Sequence, residues 1–125
     1  MVCAMSSILI VDDDEGMVET LADILAARHY EVATARSGET ALAHTRTRAV
    51  DVVLMDIRMP GINGVQALQA MKQTSPEIKV IMMTAFTRDE LVAEAQRATA
   101  VAIVPKPLDL GYVLDLVDRV ARGDG

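Results

Sequence analysis

The chain of 125 residues contains no tryptophan, and aromatic residues make up only 2% of it. A core built on aromatic rings is therefore excluded, although hydrophobic residues account for 51% of the sequence. The core has to be filled by aliphatic side chains and by the eight methionines. A chain with this length and hydrophobicity fits one domain with a sizeable core.

Cysteine and long apolar runs are scarce as well. The single cysteine, Cys3, cannot form an internal disulfide, which agrees with a reducing cytoplasm. No apolar run approaches the roughly 18 residues that a membrane span needs. The apolar start lacks the basic region of a secretory signal and soon reaches three aspartates. We therefore expect a cytoplasmic protein that does not contact a membrane.

Basic residues are too few to give the chain a positive charge. Twelve lysines and arginines face 18 aspartates and glutamates, so the formal net charge is −6 and the pI is about 4.8. Such a surface repels the phosphates of nucleic acids, and we expect no direct binding to them. Any gene-regulatory output would need another domain or another protein.

Short apolar runs alternate with longer amphipathic stretches, which is the pattern of βαβ units around a parallel sheet. The strands are predicted at residues 7–12, 30–35, 51–55, 79–83 and 101–105. The helices are predicted at residues 15–28, from Ser37-Gly38 onward, and at residues 65–74, 87–98 and 109–122. Ser37 and Thr87 are the expected N-caps, and Glu90 would complete a capping box with Thr87. We expect an α/β fold of three layers, doubly wound and flavodoxin-like, with five helices and five parallel strands in the order 2-1-3-4-5.

Polar residues end four of the five apolar runs. In chain order these residues are Asp12, Asp13, Asp14, Asp56, Thr84 and Lys106. The carboxyl ends of parallel strands meet at one edge of a sheet, and ligands bind there where the strand order reverses. Asp12, Asp13 and Asp56 are therefore predicted to share one pocket.

Carboxylates that lie close together repel one another, and a bound cation is the usual way to offset this repulsion. Mg²⁺ fits best, because it prefers oxygen ligands and commonly uses one or two carboxylates together with phosphate oxygens. Ca²⁺ would want more protein oxygens, and Zn²⁺ would want His or Cys. Beside the metal, Asp56 could attack a phosphoryl group and form an aspartyl-phosphate, while Thr84 and Lys106 contact the phosphoryl oxygens.

Four motifs make the chain resemble the receiver domain of two-component response regulators. They are Ile-Val-Asp-Asp-Asp at 10–14, Met-Asp-Ile-Arg-Met-Pro-Gly-Ile-Asn-Gly at 55–64, Met-Thr-Ala at 83–85 and Pro-Lys-Pro at 105–107. The resemblance covers residues 6–122, which would form one domain, with residues 1–5 and 123–125 as terminal tails.

The resemblance implies a role for each polar residue at the strand ends. Asp56 would be the phosphoacceptor, Asp13 the direct Mg²⁺ ligand, and Asp12 its partner acting largely through water. The main-chain carbonyl of Arg58 would complete the protein ligands. Thr84 would supply the switch hydroxyl, and Lys106 would contact the phosphoryl group.

The resemblance also implies the partners and the limits of the activity. The phosphoryl donor would be a phosphohistidine on a sensor histidine kinase or a phosphotransfer protein. The target would be a downstream output domain or protein, reached through a switched interaction surface. The domain would catalyse only its own phosphorylation and its own dephosphorylation by water. The oligomeric state stays open, a homodimer included.

Two positions depart from the family pattern. The family usually has Tyr or Phe three residues before the lysine, where this chain has Ile103. An aliphatic side chain cannot move a ring between exposed and buried rotamers as Thr84 shifts. Where the family often has glycine at the end of the fourth helix, this chain has Thr99, which a left-handed conformation would strain. We therefore expect a weaker or altered output at the face made by the fourth helix, fifth strand and fifth helix.

Three other functions remain as alternatives. An Mg²⁺-dependent phosphohydrolase could use Asp56 on small substrates, but no inserted cap that would shape a substrate pocket is visible in the sequence. A flavodoxin-like binding protein would need a Ser-, Thr- or Gly-rich phosphate loop where this chain has acids. A receiver-like scaffold that works without phosphorylation is favoured only by Ile103.

Overall fold

A computed structural model describes residues 6–123 and confirms the predicted alternation of strands and helices. The strands are β1 (Ser7–Val11), β2 (Glu31–Ala35), β3 (Val52–Asp56), β4 (Lys79–Thr84) and β5 (Ala102–Pro105). The helices are α1 (Glu15–Ala27), α2 (Gly38–Thr47), α3 (Gly64–Thr74), α4 (Glu90–Arg97) and α5 (Leu110–Ala121). Cys3 and the tail residues 1–5 and 124–125 lie outside the described residues.

The five strands form one parallel sheet in the order β2-β1-β3-β4-β5, as predicted. Because β1 lies between β2 and β3, the strand order reverses at β1, and the polar ends of β1 and β3 are neighbours. None of the helices within residues 6–123 has the length and apolar character needed to cross a membrane.

The sheet separates two hydrophobic clusters, so the three-layer architecture is confirmed. Val52 and Leu54 of β3 pack with residues of α1 and α5. Val53 and Met55 of the same strand pack with residues of α2, α3 and α4. Every residue of β3 is buried, because successive side chains of this central strand point to opposite covered faces. The acceptor candidate Asp56 therefore ends the best-covered strand of the sheet.

The predicted start of the fourth helix is wrong. Helix α4 begins at Glu90, and its N-cap is Asp89, whose side chain accepts the backbone N–H of Leu91 at 2.9 Å. The backbone N–H of Asp89 donates to the carbonyl of Phe86, so the residues between them, Thr87 among them, form a turn. The carboxylate of Asp89 is also bound by an arginine from another loop, described below.

The other helix starts are held by caps of the expected kind. Ser37 accepts the backbone N–H of Thr40 at 3.1 Å, which confirms it as the N-cap of α2. Asn63 and Gln66 form a capping box at the start of α3, which the sequence analysis missed. Asp14 caps α1 by accepting the N–H of Met17. The third aspartate of the acidic run therefore serves a helix start, and Asp12 and Asp13 remain for the pocket.

Two further features bear on stability. Thr99 follows α4 with a φ of 66°, so the left-handed conformation considered from the sequence is present.

The phenol of Tyr30 donates to Asp118 of α5, and Arg28 also contacts that carboxylate at 2.8 Å. Burial, followed by this hydrogen bond, raises the pKa of Tyr30 to about 12. The end of α1 and the start of β2 are in this way joined to α5.

Candidate functional site

Three carboxylates meet at the carboxyl edge of the sheet, where β1 and β3 end. Oxygens of Asp12, Asp13 and Asp56 all lie within 4.8 Å of one another. Asp12 is fully buried and Asp56 is 8% exposed, whereas Asp13 is exposed. The predicted acidic pocket is therefore present, with one carboxylate facing solvent and two at its base.

Lys106 joins the two buried carboxylates. Its Nζ lies 2.6 Å from Oδ2 of Asp12 and 3.3 Å from Oδ2 of Asp56. The backbone N–H of Lys106 donates to the carbonyl of Thr84 at 2.7 Å, which continues the pairing of β4 and β5 beyond the strand ends. The Lys106–Pro107 peptide bond is cis. Lys106 follows Asp12 by 94 positions and Asp56 by 50 positions, and the fold brings the three residues into one ion-paired group.

Burial and charge shift the protonation of this group. Burial raises the pKa of Asp56, and the neighbouring charge of Asp12 raises it further, while Lys106 offsets part of the rise. Burial by itself would lower the pKa of Lys106, but its hydrogen bond to Asp12 and the charge of Asp56 outweigh this, and the pKa is raised. Lys106 therefore stays an ammonium. A cation bound beside Asp56 would offset its repulsion by Asp12 and so stabilise the charged form of Asp56.

Thr84 ends β4 beside the cluster, and its side chain is buried. Its hydroxyl accepts the backbone N–H of Phe86 at 3.0 Å and donates to the carbonyl of Phe86 at 3.0 Å. The turn that leads to α4 is therefore held by the hydroxyl that was predicted to contact a phosphoryl group. The ring of Phe86 is 70% exposed, and the sequence analysis did not single it out.

Arg58 lies two residues beyond Asp56, and its backbone lowers the pKa of the Asp56 carboxyl. Its side chain points away from the acids, to Asp89 at the start of α4. Arg58 Nε lies 2.7 Å from Oδ2 of Asp89, and Nη2 lies 2.9 Å from Oδ1. From the sequence, only the main-chain carbonyl of Arg58 was predicted to belong to the site. This pairing joins residues 31 positions apart, and no local pattern announces it.

Gly64 sets the close approach of α3 to the acceptor strand. A Cβ atom at this position would clash with the backbone oxygen of Asp56 and lie 2.6 Å from Cε of Met82. The N–H of Gly64 donates to the carbonyl of Ile57 at 2.7 Å. Gly64 stands at the end of the second motif, but only the structure gives the reason for a glycine there.

Ile103 lies on β5 opposite Met82 of β4 and is half-buried. Its side chain packs against the cluster formed with α2, α3 and α4. The position that usually carries an aromatic ring in the family that this chain resembles therefore holds a packed aliphatic side chain.

A cavity of about 600 Å³ opens next to Lys106, between α1 and the segment that leads from β5 to α5. Its apolar lining includes Met17, Leu21, Leu108 and Leu110. No sequence pattern distinguished these residues from ordinary core or surface positions. The cavity gives the acidic site an apolar flank that is large enough to receive side chains of another molecule.

The donor set fits a hard divalent cation. Three carboxylates supply oxygen ligands of the kind that Mg²⁺ prefers, and the exposed Asp13 leaves a side open to solvent. Neither histidine nor cysteine belongs to the cluster among residues 6–123, which argues against a zinc site. The chemistry of the group is therefore that of a cation site beside a buried carboxylate and an ammonium.

Comparison with known proteins agrees with this geometry. The family model described as "Response regulator receiver domain" matches residues 8–118. The transcriptional regulatory protein ZraR of Salmonella typhimurium is 38% identical over 112 residues, covering 90% of this chain and 25% of ZraR. The regulatory protein AtoC of Escherichia coli K12 is 40% identical over 119 residues, covering 95% of this chain and 26% of AtoC.

A solved structure agrees as well. The response regulator TrrA of Thermotoga maritima, in complex with Mg²⁺ and beryllium fluoride, is 31% identical with a TM-score of 0.81. The match covers 93% of this chain and 99% of that structure. The chain spans about a quarter of the length of the two curated regulators. With the family model, these relatives and the shared fold in agreement, the chain belongs to the receiver domains of two-component response regulators.

Proposed function

We propose that this receiver domain, over residues 6–122, accepts a phosphoryl group on Asp56 from a phosphohistidine. The donor is a sensor histidine kinase or a histidine phosphotransfer protein. The observation that carries the proposal is the Lys106 ammonium, which contacts both Asp12 and Asp56 beside the exposed Asp13. An acceptor carboxylate, a cation site and a fixed positive charge thus occupy one edge of the sheet.

The proposed cation is Mg²⁺, with Asp13 as a direct ligand and Asp12 acting largely through water. Asp56 and the main-chain carbonyl of Arg58 complete the protein ligands. When bound, Mg²⁺ supplies positive charge to the oxygens of the phosphoryl group as it is transferred. The similarity to TrrA, whose structure holds Mg²⁺ and beryllium fluoride, supports this choice.

In the proposed transfer, an Oδ atom of Asp56 attacks phosphorus as the bond from phosphorus to the donor imidazole breaks. The electron pair of the broken bond goes to the imidazole nitrogen, and the product is an aspartyl-phosphate. Lys106 keeps its proton and contacts a phosphoryl oxygen. The Thr84 hydroxyl breaks its hydrogen bonds to Phe86 and donates one to another phosphoryl oxygen. The turn before α4 is thereby released.

Water then removes the phosphoryl group at the same site, so the domain catalyses only its own phosphorylation and dephosphorylation. A phosphohydrolase of small substrates is disfavoured, because residues 6–123 fold into the five strands and five helices without an inserted cap. This makes the domain a signalling module, in which the phosphoryl group shifts an existing conformational equilibrium.

The proposed partners follow from the surface around the site. The apolar cavity would receive the protein that carries the phosphohistidine, since its lining includes Lys106, which contacts Asp56. The switched surface would act on a downstream output domain or protein in the cytoplasm, without direct contact to nucleic acid. The output at the face of α4, β5 and α5 would be weaker or altered, because Ile103 has no ring to reorient. Self-association into a homodimer is compatible with this function.

The direct test is mass spectrometry after treatment with acetyl phosphate and Mg²⁺. The wild type should gain the mass of one phosphoryl group, and Asp56→Ala should gain none. Asp23→Asn is the matched control, because Asp23 is an exposed acid of α1 outside the cluster. A wild type that stays unmodified, as a scaffold would, or an Asp56→Ala variant that is still modified, contradicts the proposal.

A further inference from the structure

The first turn of α4 is tied to the acidic site by an ion pair with two parallel hydrogen bonds. Arg58 donates through Nε and Nη2 to the two carboxylate oxygens of Asp89, at 2.7 and 2.9 Å. The side chain of Asp89 is 6% exposed, whereas that of Arg58 is 59% exposed. Two parallel bonds fix the orientation of a guanidinium as well as its distance. The pair therefore determines where the Arg58 side chain lies.

The same carboxylate belongs to a continuous set of hydrogen bonds. Oδ1 of Asp89 accepts the N–H of Leu91 and so caps α4. The backbone N–H of Asp89 donates to the carbonyl of Phe86, which also accepts the Thr84 hydroxyl. At the other end, Arg58 lies two residues beyond the acceptor Asp56. The set of hydrogen bonds runs from Arg58 through Asp89 and Phe86 to the switch hydroxyl of Thr84.

We propose that Asp89 is a positioning residue for the cation site. By holding the Arg58 side chain, Asp89 fixes the peptide whose carbonyl would be a ligand of the cation. This inference rests on the proposed function, because it takes the Arg58 carbonyl as a ligand. Asp89 acts through Arg58 and does not contact the cation.

The pair also makes cation binding and the capping of α4 interdependent. A shift of the Arg58 peptide moves its side chain, and the carboxylate that follows it is the cap of α4. Coupling between two sites is reciprocal. The free energy by which the intact cap strengthens cation binding is therefore the free energy by which the bound cation stabilises the cap. In this chain the coupling reaches α4 without an aromatic ring at position 103. The Arg58 tip is exposed, so the contribution of the pair is mainly geometric, because exposed ion pairs add little energy.

Isothermal titration with Mg²⁺ separates this role from a simple effect of charge. Asp89→Asn keeps a side chain that caps helices well but removes the carboxylate that holds Arg58. Glu90→Gln, one residue further, removes the same charge from an exposed side chain that caps nothing. We expect Asp89→Asn to weaken Mg²⁺ binding about tenfold, as for residues that orient metal ligands. Glu90→Gln should stay within about twofold of the wild type, the smaller effect expected of a screened surface charge.

A double-mutant cycle tests whether Asp89 works through Arg58. If it does, adding Arg58→Gln to Asp89→Asn should weaken Mg²⁺ binding less than about twofold beyond the single variant. In NMR spectra, saturating Mg²⁺ should shift the amide of Leu91 in the wild type and in Glu90→Gln, but much less in Asp89→Asn.

Two results would overturn the inference while leaving the proposed function intact. One is equal Mg²⁺ affinity of Asp89→Asn and Glu90→Gln. The other is a double variant whose loss of Mg²⁺ binding free energy equals the sum of the losses in Asp89→Asn and Arg58→Gln. A wild type that does not bind Mg²⁺ at all would overturn the proposed function, and the inference with it.

Discussion

Replacing Asp13 by asparagine should change the stability of the domain in opposite directions with and without Mg²⁺. An oxygen of Asp13 lies within 4.8 Å of oxygens of Asp12 and Asp56. Asp13 is exposed, and in water two unit charges at this separation repel by about 0.9 kcal/mol. Two such neighbours amount to about 1.8 kcal/mol, of which the Lys106 ammonium offsets a part. We therefore expect Asp13→Asn to raise the free energy of unfolding of the metal-free protein by about 1 kcal/mol.

With Mg²⁺ present, the order of stabilities should reverse. A ligand that binds only the folded state stabilises it by about 2.7 kcal/mol at one hundred times its Kd. The wild type should gain on this scale, whereas Asp13→Asn lacks the direct ligand and should gain little. The expected pattern is a variant that is more stable than the wild type in chelator and less stable in saturating Mg²⁺.

Urea unfolding followed by circular dichroism, in chelator and in Mg²⁺, measures both differences. Asp23→Asn makes the same change of charge on α1 outside the cluster and should stay within about 0.5 kcal/mol of the wild type in both conditions. The reasoning fails if Asp13→Asn behaves like Asp23→Asn in chelator. It also fails if Mg²⁺ stabilises Asp13→Asn as much as it stabilises the wild type.

Three other predictions concern stability. Gly64→Ala should destabilise the domain by about 1–3 kcal/mol through overpacking, and urea unfolding should show Gly64→Ala to be clearly less stable than Gly111→Ala. At Gly111 the nearest atom to an added Cβ is 3.6 Å away, and alanine there should add roughly 0.4–1 kcal/mol. The raised pKa of Tyr30 means that the folded protein holds the phenol proton more tightly than the unfolded chain, so stability should fall from pH 10.0 to about 12. Tyr30→Phe should lose less stability over that range in the same measurement, and an equal loss would exclude Tyr30 as the cause. Thr99→Gly should raise the melting temperature, corresponding to about 0.5–1 kcal/mol, whereas Ala98→Gly at an ordinary φ should lower it.

The fold and the acidic pocket could be predicted because local patterns determine them. The apolar run of β3 is buried on both faces, so its length and its final Asp56 could be read without knowledge of any neighbour. Parallel pairing then requires the ends of β1 and β3 to be adjacent. The meeting of Asp12 with Asp56 follows from strand order alone.

Contacts between distant loops could not be predicted in this way. Thr87 and Asp89 are both good N-caps, and propensity alone does not decide between them. In the structure Asp89 is the cap, and its carboxylate also pairs with Arg58, 31 residues away, a contact that no local pattern reveals. The same limit hid the pairing of Tyr30 with Asp118, which lie 88 positions apart. When two local structures are both acceptable, tertiary contacts favour one of them, and a local sequence pattern does not show those contacts.

The exposed ring of Phe86 offers a practical route into the switching of this domain. Phe86 is 70% exposed, and its backbone is bound on both sides by the Thr84 hydroxyl. Because the chain has no tryptophan, Phe86→Trp would introduce a single indole whose emission comes from that turn alone. Stopped-flow fluorescence, excited where the two tyrosines absorb little, could then follow the release of the turn in real time without an added label.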